Sequence, residues 1–167
     1  MPSAAALTHL AAYGDRNLTN APGSPHAWTH SVCGMATWED VRRLAMWMPE
    51  AEERESRGLR QWRVDGKLFV WERPLRKTDL AALGDAVPAG EILGARVEHE
   101  GAKRALCEDP SSVFFTTPHF DGHPAILVRL DAINLAVLEE VVVEEWLNRA
   151  LRRLVEAWEA LTKARRR

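Results

Sequence analysis

The chain has 167 residues, of which 46% are hydrophobic and 28% are charged, a composition typical of a globular protein with a real hydrophobic core. Its formal net charge of -2 provides no overall attraction to nucleic acid, so an anion-binding surface would need an uneven distribution of charge. No segment has the apolar length of a membrane helix, and the N-terminus lacks a signal-peptide pattern. These features predict a cytoplasmic protein with no membrane partner.

Residues 1–36 differ in composition from the rest, being rich in Ala, Gly, Pro, Ser, Thr and Asn without any persistent periodicity. They predict a flexible N-terminal extension, followed by a single domain over residues 37–167. Met35 stands directly before the first regular structure. Two interpretations remain open: translation starts at Met35, or the segment is a genuine flexible arm.

The first helix is predicted to begin at Thr37, because Asp40 three residues later completes a capping-box pattern, and to end before Pro49. The segment that follows carries a run of charges: Glu50, Glu52, Glu53, Arg54 and Glu55. We interpret it as a solvated loop. The alternative is one wall of a small-molecule pocket beside Trp62 and Lys67.

Residues 59–65 and 67–73 are predicted to form a hairpin, because Asp65-Gly66 is the residue pair that a tight two-residue turn prefers. In that register Trp62 would face Phe69 across the ladder. Alternation in this hairpin and in the later strands predicts four core residues, namely Trp62, Phe69, Phe114 and Ile126.

The remaining elements are predicted from the spacing of apolar residues and from the Gly and Pro residues that end helices and strands. Residues 78–84 suggest a short glycine-capped helix, residues 91–97 a strand, and residues 100–109 a helix with Ala102, Ala105 and Leu106 inward. Strands around Phe114 and Ile126 complete the sheet. Asn134 is positioned to cap a long helix, and a second, basic helix ends the chain. The predicted fold is α+β: an antiparallel sheet of about five strands covered by N- and C-terminal helices.

The loop between the last two strands gathers polar residues. Its candidates for a pocket or turn site are Thr116, Thr117, His119, Asp121 and His123. Two histidines without a third clear ligand do not define a metal site, and we predict neither metal nor cofactor. A Thr–His–Asp catalytic set is conceivable, but a triad is defined by geometry, and no catalytic residue is assigned. The simplest interpretation is that these residues serve turn geometry.

Several motifs resemble the YjbR/MmcQ family of small bacterial proteins. They are Thr-Trp-Glu-Asp-Val-Arg-Arg at 37–43, Trp-Arg-Val-Asp-Gly-Lys-Leu-Phe at 62–69, Phe-Phe-Thr-Thr-Pro-His at 114–119, and residues 125–130 with 150–154. The likeness spans roughly residues 37–160. The chain differs at His123, where an aromatic residue is usual, at residues 150–153, and in an inserted segment at 73–77.

This resemblance implies a frataxin-like arrangement whose exposed hairpins have been compared with a double-wing DNA-binding motif. It makes DNA the expected partner, bound weakly through phosphates by a non-enzymatic protein. The candidate contacts are Arg60, Arg63, Lys67, Arg73, Arg76, Lys77 and His119, with the tail at residues 165–167 adding attraction. The alternative is a small-ligand or protein-interaction domain with no role in nucleic-acid binding. A hydrogen-bonded Thr–His–Asp set would instead favour an enzyme.

Overall fold

The computed structural model describes residues 35–165. The expectations for residues 1–34, and for Arg166 and Arg167 of the tail, therefore lie outside the described residues. The elements in chain order are α1 (Trp38–Trp47), β1 (Ala51–Ser56), β2 (Leu59–Val64), β3 (Lys67–Glu72), α2 (Lys77–Leu83), a 3-10 turn (Gly84–Ala86), β4 (Ile92–Arg96), α3 (Glu100–Cys107), β5 (Phe114–Phe115), a second 3-10 turn (Pro118–Phe120), β6 (Ala125–Arg129), α4 (Leu135–Arg149) and α5 (Arg152–Arg165).

The strands form one six-stranded sheet in the order β1-β2-β3-β4-β6-β5, and every neighbouring pair is antiparallel. The predicted α+β class, with helices flanking an antiparallel sheet, is confirmed. The strand absent from the prediction is β1, because the segment interpreted as a charged loop pairs with β2 over residues 51–56. That interpretation was wrong for a physical reason: β1 lies at an edge of the sheet, where charged side chains remain in solvent.

Helix α1 begins as predicted. The Thr37 hydroxyl accepts a hydrogen bond from the backbone N–H of Asp40 at 3.3 Å, and the Asp40 carboxylate accepts one from the Thr37 N–H at 3.0 Å. This exchange satisfies two backbone donors at the helix start. Asn134 caps α4 in the same way, through the N–H of Val137 at 2.9 Å.

The hairpin between β2 and β3 contains the predicted Asp65-Gly66 turn, with φ of 51° and 70° at its two central residues. The register then shifts between Trp62 and Arg63, so that Trp62 pairs with Val70. The predicted Trp62–Phe69 pairing is therefore wrong, because a β-bulge adds one residue to β3. All four predicted core residues are nevertheless buried, which confirms their assignment to the core.

The residues predicted to face inward on helix α3 were wrong at one position. Ala102 and Leu106 are buried as predicted, but Ala105 is exposed and Lys103 is buried in its place. The reason is the partner of the lysine. Its ammonium group donates to two backbone carbonyls of the following loop, and an alanine offers no such contact.

The two faces of the sheet are covered differently. The helix-covered face packs under α1 and α4, and its core includes Val41, Leu44, Trp62, Val64, Phe69, Leu93, Ile126, Leu138, Val142 and Trp146. The second face carries a smaller buried cluster, made of Trp71, Ile92, Phe120, Ala125 and Leu127. The second 3-10 turn and the segment leading into α2 pack on this smaller cluster, through Phe120 and Leu75.

Among residues 35–165, no helix combines the length and the apolar character that crossing a bilayer requires.

Candidate functional site

The first predicted cation, Arg60, is neutralised within the protein. Its Nε and Nη2 donate to Oε1 of Glu72 at 2.8 and 2.6 Å, and its backbone N–H donates to Oε2 of the same carboxylate at 2.7 Å. The guanidinium also lies over the indole of Trp38, 5.3 Å from the ring centroid. Because this ion pair satisfies the charge locally, Arg60 is a poor candidate for a phosphate contact.

The charges of Arg63 and Lys67 are less fully neutralised by carboxylates than that of Arg60. Arg63 donates to the carbonyl of Gly66 at 2.8 Å and to the side-chain oxygen of Gln61 at 2.9 Å, both neutral acceptors. Lys67 is exposed and lies 3.6 Å from the carboxylate of Asp65, a pair that solvent screens. Both residues therefore remain candidates for binding an anion.

Arg73 was predicted as a surface contact for nucleic acid, and the structure contradicts this prediction. Its side chain is 6% exposed and its Nη2 donates to Asp79 at 2.8 Å. The other carboxylate oxygen of Asp79 accepts a hydrogen bond of 2.9 Å from the hydroxyl of Thr117. This buried network joins the segment before α2 to the Thr-Thr-Pro-His loop, so Arg73 and Thr117 serve the fold.

The electrostatics of this network follow from its contacts. Burial opposes ionisation of Asp79, but the backbone N–H of Arg76, the hydroxyl of Thr117 and the guanidinium of Arg73 outweigh that cost and lower its pKa. Asp79 is therefore the counter-ion of a buried arginine.

The remaining residues of the predicted set are exposed. Arg76 and Lys77 stand at the start of α2, and His119 stands on the second 3-10 turn, its ring 4.9 Å from that of Phe120 and edge-on to it. Since α2 contacts this turn, the three side chains occupy one side of the molecule, over the second face of the sheet.

The polar loop of residues 116–124 is held by Lys103. Its Nζ donates to the carbonyls of Phe120 and His123 at 2.6 and 3.1 Å. The side chains of His119, Asp121 and His123 are exposed. No hydrogen bond joins Thr116, His119 and Asp121 in the described part of the chain, and residues 35–165 contain no cluster suited to a metal ion. The loop offers turn geometry without an assembled catalytic set.

Two grooves flank these elements. One of 490 Å³ is lined by Lys103, Cys107, Thr116 and Asp121 among others. Burial raises the pKa of the Cys107 thiol to about 11, although the charge of Lys103 acts in the opposite direction, so the sulfur stays protonated and unreactive at neutral pH. This groove shows no nucleophile.

The other groove, of 520 Å³, lies between β4 and the segment around α2. Its apolar lining is contributed by Trp38, Leu75, Leu80, Val87, Pro88 and Ile92. The alternative prediction made the charged segment after the first helix one wall of a pocket beside Trp62 and Lys67. Those two residues line neither groove, and Trp62 is fully buried.

Two arginines absent from the sequence-based set prove informative. Arg96 ends β4, and Arg149 ends α4. The Nε of each is shielded from solvent and donates to no acceptor within residues 35–165, and neither forms an ion pair there. Burial, and to a lesser degree the charge of Arg149, lowers the pKa of Arg96.

Arg96 also belongs to a chain of ring contacts across the second face. Its guanidinium lies 5.7 Å from the ring centroid of Trp71, the rings of Trp71 and Phe120 are 6.4 Å apart, and Arg73 lies 5.2 Å from the ring of Phe120. Cation–π contacts at both ends fix the two guanidinium groups against the aromatic pair.

The fold and these groups define an α+β protein with one sealed sheet face and one polar, partly basic face. The uncharacterized proteins Rv2570 and MT2646 of Mycobacterium tuberculosis and Mb2600 of Mycobacterium bovis are each 50% identical to this chain over 127 residues, 74% of this chain and 96% of the relative. The chain belongs to the family of these mycobacterial proteins. No protein-family model matches the chain. No solved structure matches it either.

Proposed function

We propose that this protein is a non-enzymatic, cytoplasmic binding protein of the YjbR/MmcQ type that binds DNA weakly through its phosphates. The candidate interface is the second face of the sheet and its surroundings, and consists of Arg63, Lys67, Arg76, Lys77, Arg96 and His119. Arg60 and Arg73 are left out, because their charges are satisfied by Glu72 and Asp79.

One observation carries this proposal: Arg63 and Arg96 project from strands onto the same face without a carboxylate partner in the described chain. Arg63 alternates with buried Trp62 and Val64, and Arg96 alternates with buried Ala95 and Val97, so both point away from the helix-covered face. A rigid sheet holds these guanidinium groups in place, and guanidinium groups bind phosphate oxygens well.

The same geometry argues for weak binding. Strands β1 to β3 and the turn between β2 and β3 also carry Glu52, Glu55, Asp65 and Glu72 among their cations, and the whole chain carries a net charge of -2. Few phosphates can therefore be neutralised at once, and each neutralised phosphate contributes about one counterion to the salt dependence. We expect low affinity, little dependence on sequence and strong weakening by salt.

The test is a titration of fluorescent duplex DNA with the full chain at low and moderate salt. Arg63→Gln combined with Lys67→Gln is expected to weaken binding and to reduce the salt slope by about two. The matched control is Arg42→Gln, which removes an exposed guanidinium of α1 from the opposite side of the sheet. An equal loss with the control, or no binding by the folded wild type at low salt, would refute the proposal.

A second candidate function is the binding of a small apolar ligand in the 520 Å³ groove. The supporting observation is that Leu80 and Val87 in its wall are 41% and 36% exposed, an unusual arrangement for large aliphatic side chains that face one concave surface. A fluorescent apolar probe is expected to bind wild type and to be lost in Leu80→Asp. Retention of the probe by this variant would exclude the groove as its site.

A further inference from the structure

We propose that the 520 Å³ groove binds a small molecule that has an apolar body and one protonated amino group, held near Gly90 by the carboxyl groups of Glu91 and Asp131. The inference rests on the second candidate function, the binding of a small apolar ligand in this groove, and adds the sign of the charge that the ligand carries. It does not depend on DNA binding, because neither carboxyl group belongs to the candidate interface.

The first argument is the placement of two carboxyl groups around Gly90, a residue of the groove lining. Glu91 follows it in the chain and lines the groove directly. The N–H of Leu130 donates to the carbonyl of Glu91 at 3.0 Å, so the antiparallel register of β4 and β6 brings Gly90 and Asp131 opposite each other. A Cβ at residue 90 would overlap the carboxyl group of Asp131, which therefore lies directly against the backbone of Gly90.

The second argument is the charge of the groove lining, which among the described residues has three charged side chains. Glu72 is paired with Arg60 at 2.6 Å. Arg73 is paired with Asp79 at 2.8 Å. The third, Glu91, forms no hydrogen bond or ion pair through its side chain within residues 35–165. The lining therefore carries one charge without a counter-ion, and that charge is negative.

The carboxyl group of Asp131 adds to the negative potential at the same place. Its Oδ1 atom is shielded from solvent and accepts no hydrogen bond in the described chain. Such an oxygen costs free energy, which a donor or a cation nearby would offset. None of the cations close to this part of the chain lines the groove or forms an ion pair with either carboxyl group within residues 35–165, namely Arg76, Lys77 and Arg129. An ammonium group in the groove would supply the missing positive charge.

The rest of the lining supplies the apolar part of the site. Ile92 belongs to the buried cluster of the second face and Leu75 packs on it, while Leu80 is 41% exposed. The volume of 520 Å³ lies within the usual range for small-molecule sites, about 300–1,000 Å³. A ligand whose apolar body covers these side chains, with an ammonium group beside Glu91, would match both the shape and the charge of the groove.

The experiment compares three ligands that share an eight-carbon chain and differ in charge: n-octylammonium chloride, 1-octanol and sodium octanoate. Each is titrated into the full chain at low salt to displace a neutral fluorescent apolar probe. We expect octylammonium to bind about fivefold more tightly than octanol, the upper value for an exposed ion pair, and octanoate to bind more weakly than either. Added salt should reduce the advantage of octylammonium over octanol, because it screens the two carboxyl groups.

Glu91→Lys is the main variant, because it reverses the sign of the unpaired charge in the lining. It should remove the preference for octylammonium and leave the affinity for octanol nearly unchanged. The matched control is Glu98→Lys, which makes the same change of net charge at an exposed residue beyond the other end of β4, outside the groove. Asp131→Asn keeps the shape of the side chain and should reduce the preference for octylammonium by less than Glu91→Lys does.

The outcomes separate this inference from the second candidate function. A preference for octylammonium that disappears in Glu91→Lys and remains in Glu98→Lys would support the inference. An unchanged preference in Glu91→Lys or in Asp131→Asn, or an equal loss in Glu98→Lys, would overturn it. If octanol displaces the probe and octylammonium binds no more tightly, the inference is overturned while the second candidate function stands. If none of the three ligands displaces the probe, both fail.

Discussion

The two faces of the central sheet are built by different means. The helix-covered face packs almost entirely aliphatic and aromatic side chains under α1 and α4. Within residues 35–165 the second face has five buried apolar residues, and beside them lie the buried residues Arg73, Asp79 and Thr117. The first face is therefore stabilised by burial of apolar area, and the second by a satisfied polar network. Substitutions on the two faces should therefore lower the free energy of unfolding for different reasons, namely lost apolar burial on the first face and unpaired polar groups on the second.

The largest effect is expected from Trp62→Ala on the helix-covered face. Trp62 is fully buried and stacks on Trp38 with 6.3 Å between ring centroids, so truncation should lower the free energy of unfolding by about 3–5 kcal/mol. Urea unfolding measures this loss. Half-buried Trp158 provides the control, and Trp158→Ala should cost clearly less. Equal costs would show that the difference in burial does not govern stability here.

Asp79→Ala tests the polar network of the second face. It leaves the Arg73 guanidinium buried without a counter-charge, which should destabilise the protein by about 3 kcal/mol in the same assay. The double variant Arg73→Met with Asp79→Leu should recover much of that loss, because it removes both charges together. If the double variant were as unstable as the single one, the loss of stability would come from altered packing and not from the unpaired charge of Arg73.

Gly94→Ala tests how closely the second face is packed. A Cβ at this position would lie 2.3 Å from the indole of Trp71, a contact that forces the ring or the strand to move. Such overpacking typically costs about 1–3 kcal/mol. In a Trp71→Val background the same substitution should cost little. A persistent cost in that background would point to the backbone of β4 rather than the indole.

Glu145→Gln tests a polar exception within the helix-covered face. Because burial raises the folded-state pKa of Glu145, the folded chain retains this proton at pH values where the unfolded chain has released it. Stability should therefore fall as the pH rises above the ordinary glutamate value toward the folded pKa. The variant cannot ionise, so it should lose less stability between pH 5 and pH 7.5.

Exposed Glu139→Gln is the control for this comparison and should reproduce the wild-type dependence on pH. Denaturant titrations at the two pH values measure the difference. An identical slope in wild type and Glu145→Gln would mean that Glu145 ionises normally.

Most of the helix-covered face could be predicted from the sequence, because its residues follow local rules. The capping pattern at Thr37, the Asp65-Gly66 turn and the apolar alternation around Ile126 each act over a few residues. The edge strand β1 escaped prediction since one of its faces and its outer edge are in solvent, and no alternation of apolar residues survives. The bulge opposite Trp62 depends on how two strands meet, which no local pattern specifies.

The second face was harder to predict, for a related reason. Arg73 resembles any surface cation until Thr117 and Asp79 are brought together across 38 residues of sequence. Arg96 and Arg149 end a strand and a helix that are far apart in the sequence, and only tertiary packing shields the Nε of each from solvent. A charged residue in a sequence is on average exposed to solvent, but the partner with which it forms an ion pair is decided by the tertiary structure.

The two edges of the sheet carry a consequence for behaviour at high concentration. An open sheet leaves backbone donors and acceptors free along its outer strands, where a second molecule could add and begin an aggregate. Here one edge, β1, places Glu52, Glu53, Arg54 and Glu55 in succession, so an approaching copy of the same strand would meet several like charges. The other edge, β5, is only two residues long and too short to template a stable pairing. Each edge therefore has its own protection against chain-to-chain sheet extension, one electrostatic and one geometric.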